Sequence, residues 1–316
     1  MAFFSKSLVC LALCVAVSAW TYDERQLSAP SRWGEVRSQD NTLRYSTCSN
    51  VGTQSPMNLE QGSIDPSLAA LQLSWIESNN YTVTNDGEDV TIEIHDVVSK
   101  LTHTTGQYQF KYAQLHTPAA HSFGGGSHDG ELVLVHETDD TENDIRFVIV
   151  SVQLTASFGH HEHFSTLVDV IPQYTGTKVT ASESTPLSLK KFVPTDADAL
   201  AYVGSLMQPP CTEGAQYFVL RHPISVSHLQ LEAIQQKRGA MATARNKRPS
   251  QGQGTRVPLR VLKTRSGASL STINSVEDPS NEDIFAICAL CFSGLCLLVT
   301  IAALLVSCCT ERHDES

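Results

Sequence analysis

The chain has 316 residues, 41% hydrophobic and 17% charged, with 33 acidic against 22 basic side chains and a formal net charge of −11. This composition suits one globular domain of ordinary size with appendages at its ends, and the acidity speaks against a nucleic-acid partner.

Residues 1–19 read as a secretory signal peptide: Lys6 supplies the positive start, Leu8 to Val17 the apolar stretch, and Ala16, Ser18 and Ala19 a small-residue cleavage site. The stretch is too short to span a bilayer, which disfavours the alternative of a retained anchor. Period-two apolar patterns then predict strands at Tyr81–Thr84, Val90–Ile94, Tyr108–His116, Glu131–His136, Phe147–Leu154 and Tyr217–Leu220. Turn chemistry separates them at residues 85–87, 124–126 and 139–144. Helical patterning is confined to Ser165–Ile171 and His228–Arg238, and no internal repeat is present.

From Lys237 to Val276 nine Lys and Arg (237, 238, 245, 247, 248, 256, 260, 263, 265) occur without an acid. Two readings are open, a basic flank packed against an acidic body and a polyanion-binding strip. Residues 20–265 form the expected ectodomain, and residues 266–283, rich in Ser, Asn and Gly, a stalk. Ile284 to Val306 is an uncharged 23-residue run without a polar face, about 34 Å long as a helix. It reads as a single transmembrane helix. The tail, residues 307–316, is polar, whereas a lipid-anchor signal ends in its apolar segment. The expected arrangement is therefore single-pass type I in the secretory pathway, with the domain outside the cytoplasm.

Of the nine cysteines only Cys48 and Cys211 fall in the ectodomain, an even pair that suggests one disulfide in an oxidising compartment. Cys308 and Cys309 border the apolar run, as palmitoylation sites or as unmodified thiols. Asn80-Tyr81-Thr82 is a glycosylation sequon.

Several blocks occur together in one order: Trp20-Thr21-Tyr22 with Trp33; Cys48 with Gln54-Ser55-Pro56-Met57-Asn58-Leu59; Asn85-Asp86-Gly87; Gln114-Leu115-His116-Thr117-Pro118-Ala119-Ala120-His121; Glu131-Leu132-Val133-Leu134-Val135-His136; Ser205-Leu206-Met207-Gln208-Pro209-Pro210-Cys211-Thr212-Glu213-Gly214; Pro223 to Ser227; and Asn246-Lys247-Arg248-Pro249. In this order they resemble the alpha-class carbonic anhydrases. The resemblance implies a mainly β fold with peripheral helices, a large twisted, mostly antiparallel sheet in a single domain, and a disulfide joining Cys48 to Cys211.

The family's reaction needs zinc on three neutral imidazoles, with a fourth position open for a water whose pKa the ion lowers to about 7. At the corresponding positions this chain carries Gln114, His116 and Val133, so one good ligand of three remains. Recruiting His136 instead would need a three-residue slip, which turns the strand's side chains to the wrong face. The family's hydroxide-orienting Thr and its Glu partner correspond to Met207 and Ala120, the next Thr to Gln208, the proton-shuttling His to Glu88 and a pocket Trp to Tyr217. His121, Glu131 and His136 are retained, as scaffold or as residues that hydrogen-bond behind the metal.

The expected function is that of a non-catalytic carbonic-anhydrase-like surface protein, using the scaffold for binding or adhesion to an extracellular protein, glycan or polyanion, with no cofactor. Two alternatives stand beside it. One is a carbonic anhydrase with zinc in an atypical site. The other is a metal-binding surface protein using His160-His161-Glu162-His163, whose plain reading is a solvated loop.

Overall fold

The structure, a computed structural model, describes residues 20–60, 62–64, 71–75, 77–96, 99–181, 185–194, 197–239 and 245–261. The proposed signal peptide, stalk, transmembrane run and tail lie outside the described residues.

A 13-stranded sheet organises the domain. Its main path runs through Thr177–Thr180, Tyr81–Asn85, Val90–Ile94, Gly106–His116, Gly130–Glu137, Phe147–Ser157, Glu213–Leu220, Ala199–Ser205, Leu259–Val261 and Ser63–Ile64. Most neighbours are antiparallel; Phe147–Ser157 pairs in parallel with both Glu213–Leu220 and Ile224–Ser227, which makes the sheet mixed.

Both faces of the central strands are buried, and the alternation of a strand decides which side chain goes where. Leu132, Leu134, Val148, Val150, Val152, Phe218 and Leu220 turn to one face and form the larger core with Ala113 and Leu115. Their neighbours Val133, Val135, Ile149, Tyr217 and Val219 turn to the other and form a second cluster. Gly204 lets the two halves of this second face close up: a Cβ there would lie 2.1 Å from Ser55 Oγ.

Two helices cover the larger core. Glu162–Val170 buries Phe164, Leu167 and Val168. His228–Arg238 buries Leu231 and Ile234 and begins with a capping box, in which Ser227 and Gln230 satisfy each other's backbone amides. Gln230 also donates to the His161 carbonyl and to Ser165 Oγ, both at 2.8 Å, tying the two helix starts together.

The basic run is spent largely on carbonyl oxygens. Lys237 Nζ donates to the carbonyls of Val168, Asp169 and Ile171 at the end of the first helix. Lys247 donates to Ala119, buried Arg248 to Ser55 and Cys48, and Arg256 to Val203, Gly252 and Gln253. Arg260 pairs with Asp198 at 2.6 Å. Positions 263 and 265 lie outside the described residues.

Candidate functional site

Antiparallel pairing sets Val133 directly opposite Gln114 and Glu131 opposite His116. Side chains 114, 116, 131 and 133 therefore share one face, as the three-ligand arrangement requires. His136 falls on the opposite face, where its ring stacks on Trp75 (interplanar angle 8°) and its Nε2 accepts from the indole N–H at 2.9 Å.

Gln114 is committed to something other than an ion, and His116 is so at one of its two nitrogens. Gln114 is 8% exposed, and its Nε2 donates to Gln208 Oε1 at 2.8 Å and to Thr91 Oγ1 at 3.4 Å. Gln208 in turn donates to Asp89, whose other carboxyl oxygen accepts from Asn246 Nδ2 at 3.0 Å. Burial, with help from Asp86, pushes the Asp89 carboxyl up to about 8. His116 Nδ1 lies 2.6 Å from the Asn246 carbonyl. A carbonyl only accepts, so Nδ1 carries the proton and Nε2 the lone pair. That Nε2 is buried without a hydrogen-bond partner among the described residues, and burial pushes the imidazole pKa down.

The remaining family positions have turned apolar or structural. Val133, Ala120, Met207 and Tyr217 belong to one hydrophobic cluster, with Val133 2% and Met207 5% exposed. Glu88 binds the N-terminal segment, accepting from the Thr21 hydroxyl at 2.5 Å and from the Tyr22 amide at 2.9 Å. The zinc implied by the fold does not fit these residues. One imidazole lone pair remains, the amide two residues away is turned to Gln208, and an isopropyl group takes the third position. Among the described residues no group of three His, Cys, Asp or Glu is placed to hold a metal ion.

On the same face Glu131 and His121 are fully engaged. Glu131 accepts from His121 Nδ1 and Ser151 Oγ, both at 2.6 Å, and from the amides of Ala120 and His121, both at 2.8 Å. Burial works against its charge, yet His121 and Ser151 hold the carboxyl down at about 2. His121 Nε2 meets the Tyr202 hydroxyl at 2.7 Å, and Tyr202 donates to Ser55 at 2.9 Å.

A small cleft of ≈ 60 Å³ remains at the site. Its lining is Tyr112, Gln114, Val133, Val135, Ile149, Leu206, Met207, Gln208, Pro209 and Tyr217, with no charged side chain.

The other candidates are placed as follows. His161 is the N-cap of the first helix, its Nδ1 accepting from the Phe164 amide at 3.2 Å, and its ring stacks on Phe192. His160 Nε2 contacts Ser165 Oγ at 3.0 Å. The segment read as a loop is thus a helix start, and Glu162 and His163 lie within the first turn. Cys48 and Cys211 form the disulfide. Asn80 is exposed immediately before the Tyr81–Asn85 strand. Among the described residues no helix is long and apolar enough to cross a membrane, and residues 284–306 lie outside them. Asp89 is the site residue that sequence reading missed. It shares a turn with Asp86 and Glu88, and only its position directly before the apolar Val90–Ile94 strand marks it for burial.

Mainly β architecture, the cross-strand placement of 114, 116 and 133, and the disulfide define a carbonic-anhydrase scaffold. The family model for eukaryotic-type carbonic anhydrase matches residues 28–260, and the chain belongs to that family. It is similar to dioscorin DB3S of Dioscorea polystachya, 27% identical over 233 residues, covering 73% of this chain and 82% of that one. The mitochondrial carbonic anhydrase 5A of Homo sapiens is 28% identical over 237 residues, covering 65% of this chain and 76% of that protein. Among solved structures, the alpha-carbonic anhydrase of Thermovibrio ammonificans in complex with sulfanilamide superposes with a TM-score of 0.65 at 22% identity. That match covers 76% of this chain and 98% of the other, and it speaks for the fold.

Proposed function

We propose that the chain is a non-catalytic carbonic-anhydrase-like protein, held at a cell surface or lumenal membrane by residues 284–306, that works by binding through the retained scaffold. One observation carries the reading: Val133, Ala120 and Met207 pack together in a single apolar cluster where the family's chemistry needs a ligand, a carboxylate and a hydroxyl. Loss of a ligand alone leaves room for an atypical centre. Conversion of the surrounding groups into core removes both the ion's coordination and the orientation of its water. Because Lys237, Lys247, Arg248 and Arg256 donate to carbonyls and Arg260 pairs with Asp198, the reading favours a protein or glycan partner over a polyanion.

The test is metal analysis of the purified protein together with carbon dioxide hydration. The expected result is less than stoichiometric zinc and no rate above buffer. Stoichiometric zinc with hydration abolished by chelation overturns the proposal in favour of an atypical metal centre.

A further inference from the structure

We infer that Phe158 and Leu229 form a membrane-facing corner of the domain, which dips into the bilayer to which residues 284–306 hold the chain. The inference rests on the anchored reading above and adds to it which part of the domain meets lipid.

Topology builds the corner. Phe147–Ser157 and Ile224–Ser227 run parallel, with Ser157 paired to Ser227 at their last residues. Both strands therefore end at one level, and a helix starts shortly after each. Phe158 and His228 are the next residues of the two strands, with ring centroids 6.0 Å apart. Leu229 follows in the first turn of its helix. Gln230 locks the arrangement. Its Oε1 accepts from the Ser227 and His161 amides, and its Nε2 donates to the His161 carbonyl and to Ser165 Oγ. Phe158 is nevertheless 102% exposed and Leu229 75%. Scattered apolar residues on a surface are ordinary, but two large ones held at one corner mark a contact surface.

Three considerations choose lipid as the occupant. The first is shape. A side chain exposed on all sides is a knob, for which a protein partner must supply a matching pocket, whereas acyl chains close around it without one. The second is charge. Glu162 and Glu232 on the two helices stand against Lys190 and Lys191 on the Leu189–Phe192 turn, which packs on His161 through Phe192. The corner thus has no single-sign field to draw in a charged partner. His160, His163 and His228 give it rings with an apolar body and a polar tip, which suits the level of the headgroups. The third is reach. Residues 262–283, 22 positions, separate the domain from the apolar run. Such a segment spans at most about 75 Å when extended and about 26 Å as a flexible coil. The domain itself has a radius of gyration of about 18 Å. Any face can therefore reach the bilayer, and the tether keeps the domain at high effective concentration beside it. That tether decides the case, because two side chains alone hold a protein to a bilayer only weakly.

The test places the full chain in nanodiscs of phosphatidylcholine and of its brominated form, whose bromine atoms quench indole fluorescence on contact. Phe158→Trp puts a reporter at the corner. Tyr174→Trp, at a side chain 74% exposed beyond the far end of the first helix, supplies the control. Wild type gives the background from Trp20, Trp33 and Trp75, and thermal unfolding confirms that each variant folds. The emission added by Phe158→Trp is expected to fall by half or more in brominated lipid, at least twice the fraction lost by Tyr174→Trp. Leu229→Gln, added to Phe158→Trp, should halve that quenching, and Leu229→Ala replaces it if it does not fold. Salt at about 0.5 M should leave the quenching unchanged, because the contact is apolar. Quenching no greater than in the control overturns the inference, as does quenching that ignores the Leu229 variant or vanishes in salt. Incorporation into the nanodisc is measured on the same samples. A chain that stays soluble without lipid or detergent removes the anchored reading and this inference with it. An anchored chain whose reporter is not quenched removes only this inference.

Discussion

Putting imidazoles back at two positions, Gln114→His with Val133→His, tests how far the site departs from a working centre. The two residues are directly opposed across the strand pair, and His116 lies two residues from the first, so three imidazoles would share one face. Without metal the double variant loses the Gln114 hydrogen bonds to Gln208 and Thr91, about 1 kcal/mol each. It also puts a polar ring where Val133 is now packed among apolar side chains, costing roughly 2 kcal/mol more. The sum is a destabilisation of roughly 4 kcal/mol. Zinc at a hundred times its dissociation constant returns about 2.7 kcal/mol by mass action. For a domain of this size that corresponds to a rise in Tm of roughly 5–10 °C. The assay is thermal unfolding of chelated and zinc-loaded protein, with metal content measured on both. Hydration should stay low even when zinc binds. Met207 and Ala120 cannot orient a hydroxide, and the Glu131 oxygens are already taken by His121, Ser151 and two amides. A double variant whose Tm ignores zinc, or a wild type that shifts equally, refutes the account of the ligand positions. Full hydratase rates in the double variant refute the account of the groups around them.

Other perturbations probe the supporting structure. Burial holds the His136 pKa at about 4, against 6.5 for the free side chain. Its neutral form therefore contributes stability that is complete above pH 6.5 and is lost as pH falls towards 4, about 3 kcal/mol in all. Asp89, with its raised pKa, titrates in the opposite sense, so the measurement is a difference. The stability gap between wild type and His136→Phe should shrink by about that amount between pH 7 and pH 4, and a constant gap contradicts the burial argument. His161→Ala removes an N-cap and should cost about 1 kcal/mol in chemical denaturation, with His161→Asn restoring most of it. Glu88→Gln keeps the shape but weakens the hold on Thr21 and Tyr22. Faster hydrogen exchange at the Tyr22 amide is expected, with roughly 1 kcal/mol lost.

What could be read from the sequence follows from where each signal originates. Val90–Ile94 alternates buried with half-buried positions and is legible as a strand; its structural bounds agree with the reading. Ala199–Ser205 went unread because six of its seven residues are buried, so it offers no alternation, and three of them are Ala or Gly. The His160–His163 segment looked like a metal cluster by residue type. Whether an imidazole is available depends on its hydrogen bonds, and His161 Nδ1 already accepts from Phe164. Charge counting marked the run after Lys237 as a basic strip or flank, yet most of the acceptors it meets are carbonyl oxygens, which carry no formal charge and are invisible to composition.

The parity of the central strands lets one face keep the core whatever the other face carries. Leu132, Leu134, Val148, Val150 and Val152 face the larger core and are independent of what their immediate neighbours carry on the other side. A change confined to positions such as 114 and 133 therefore touches one face only. On that face an imidazole needs a fixed partner for each nitrogen, and a buried polar atom without one costs about 1–3 kcal/mol. A buried Val or Met needs no partner, and its burial contributes about 1.5–3 kcal/mol. Val133 and Met207 thus turn a face that would need an ion to satisfy its polar groups into one that packs without it. The chain is accordingly expected to fold in the presence of a strong chelator, with the same denaturation midpoint as in added zinc.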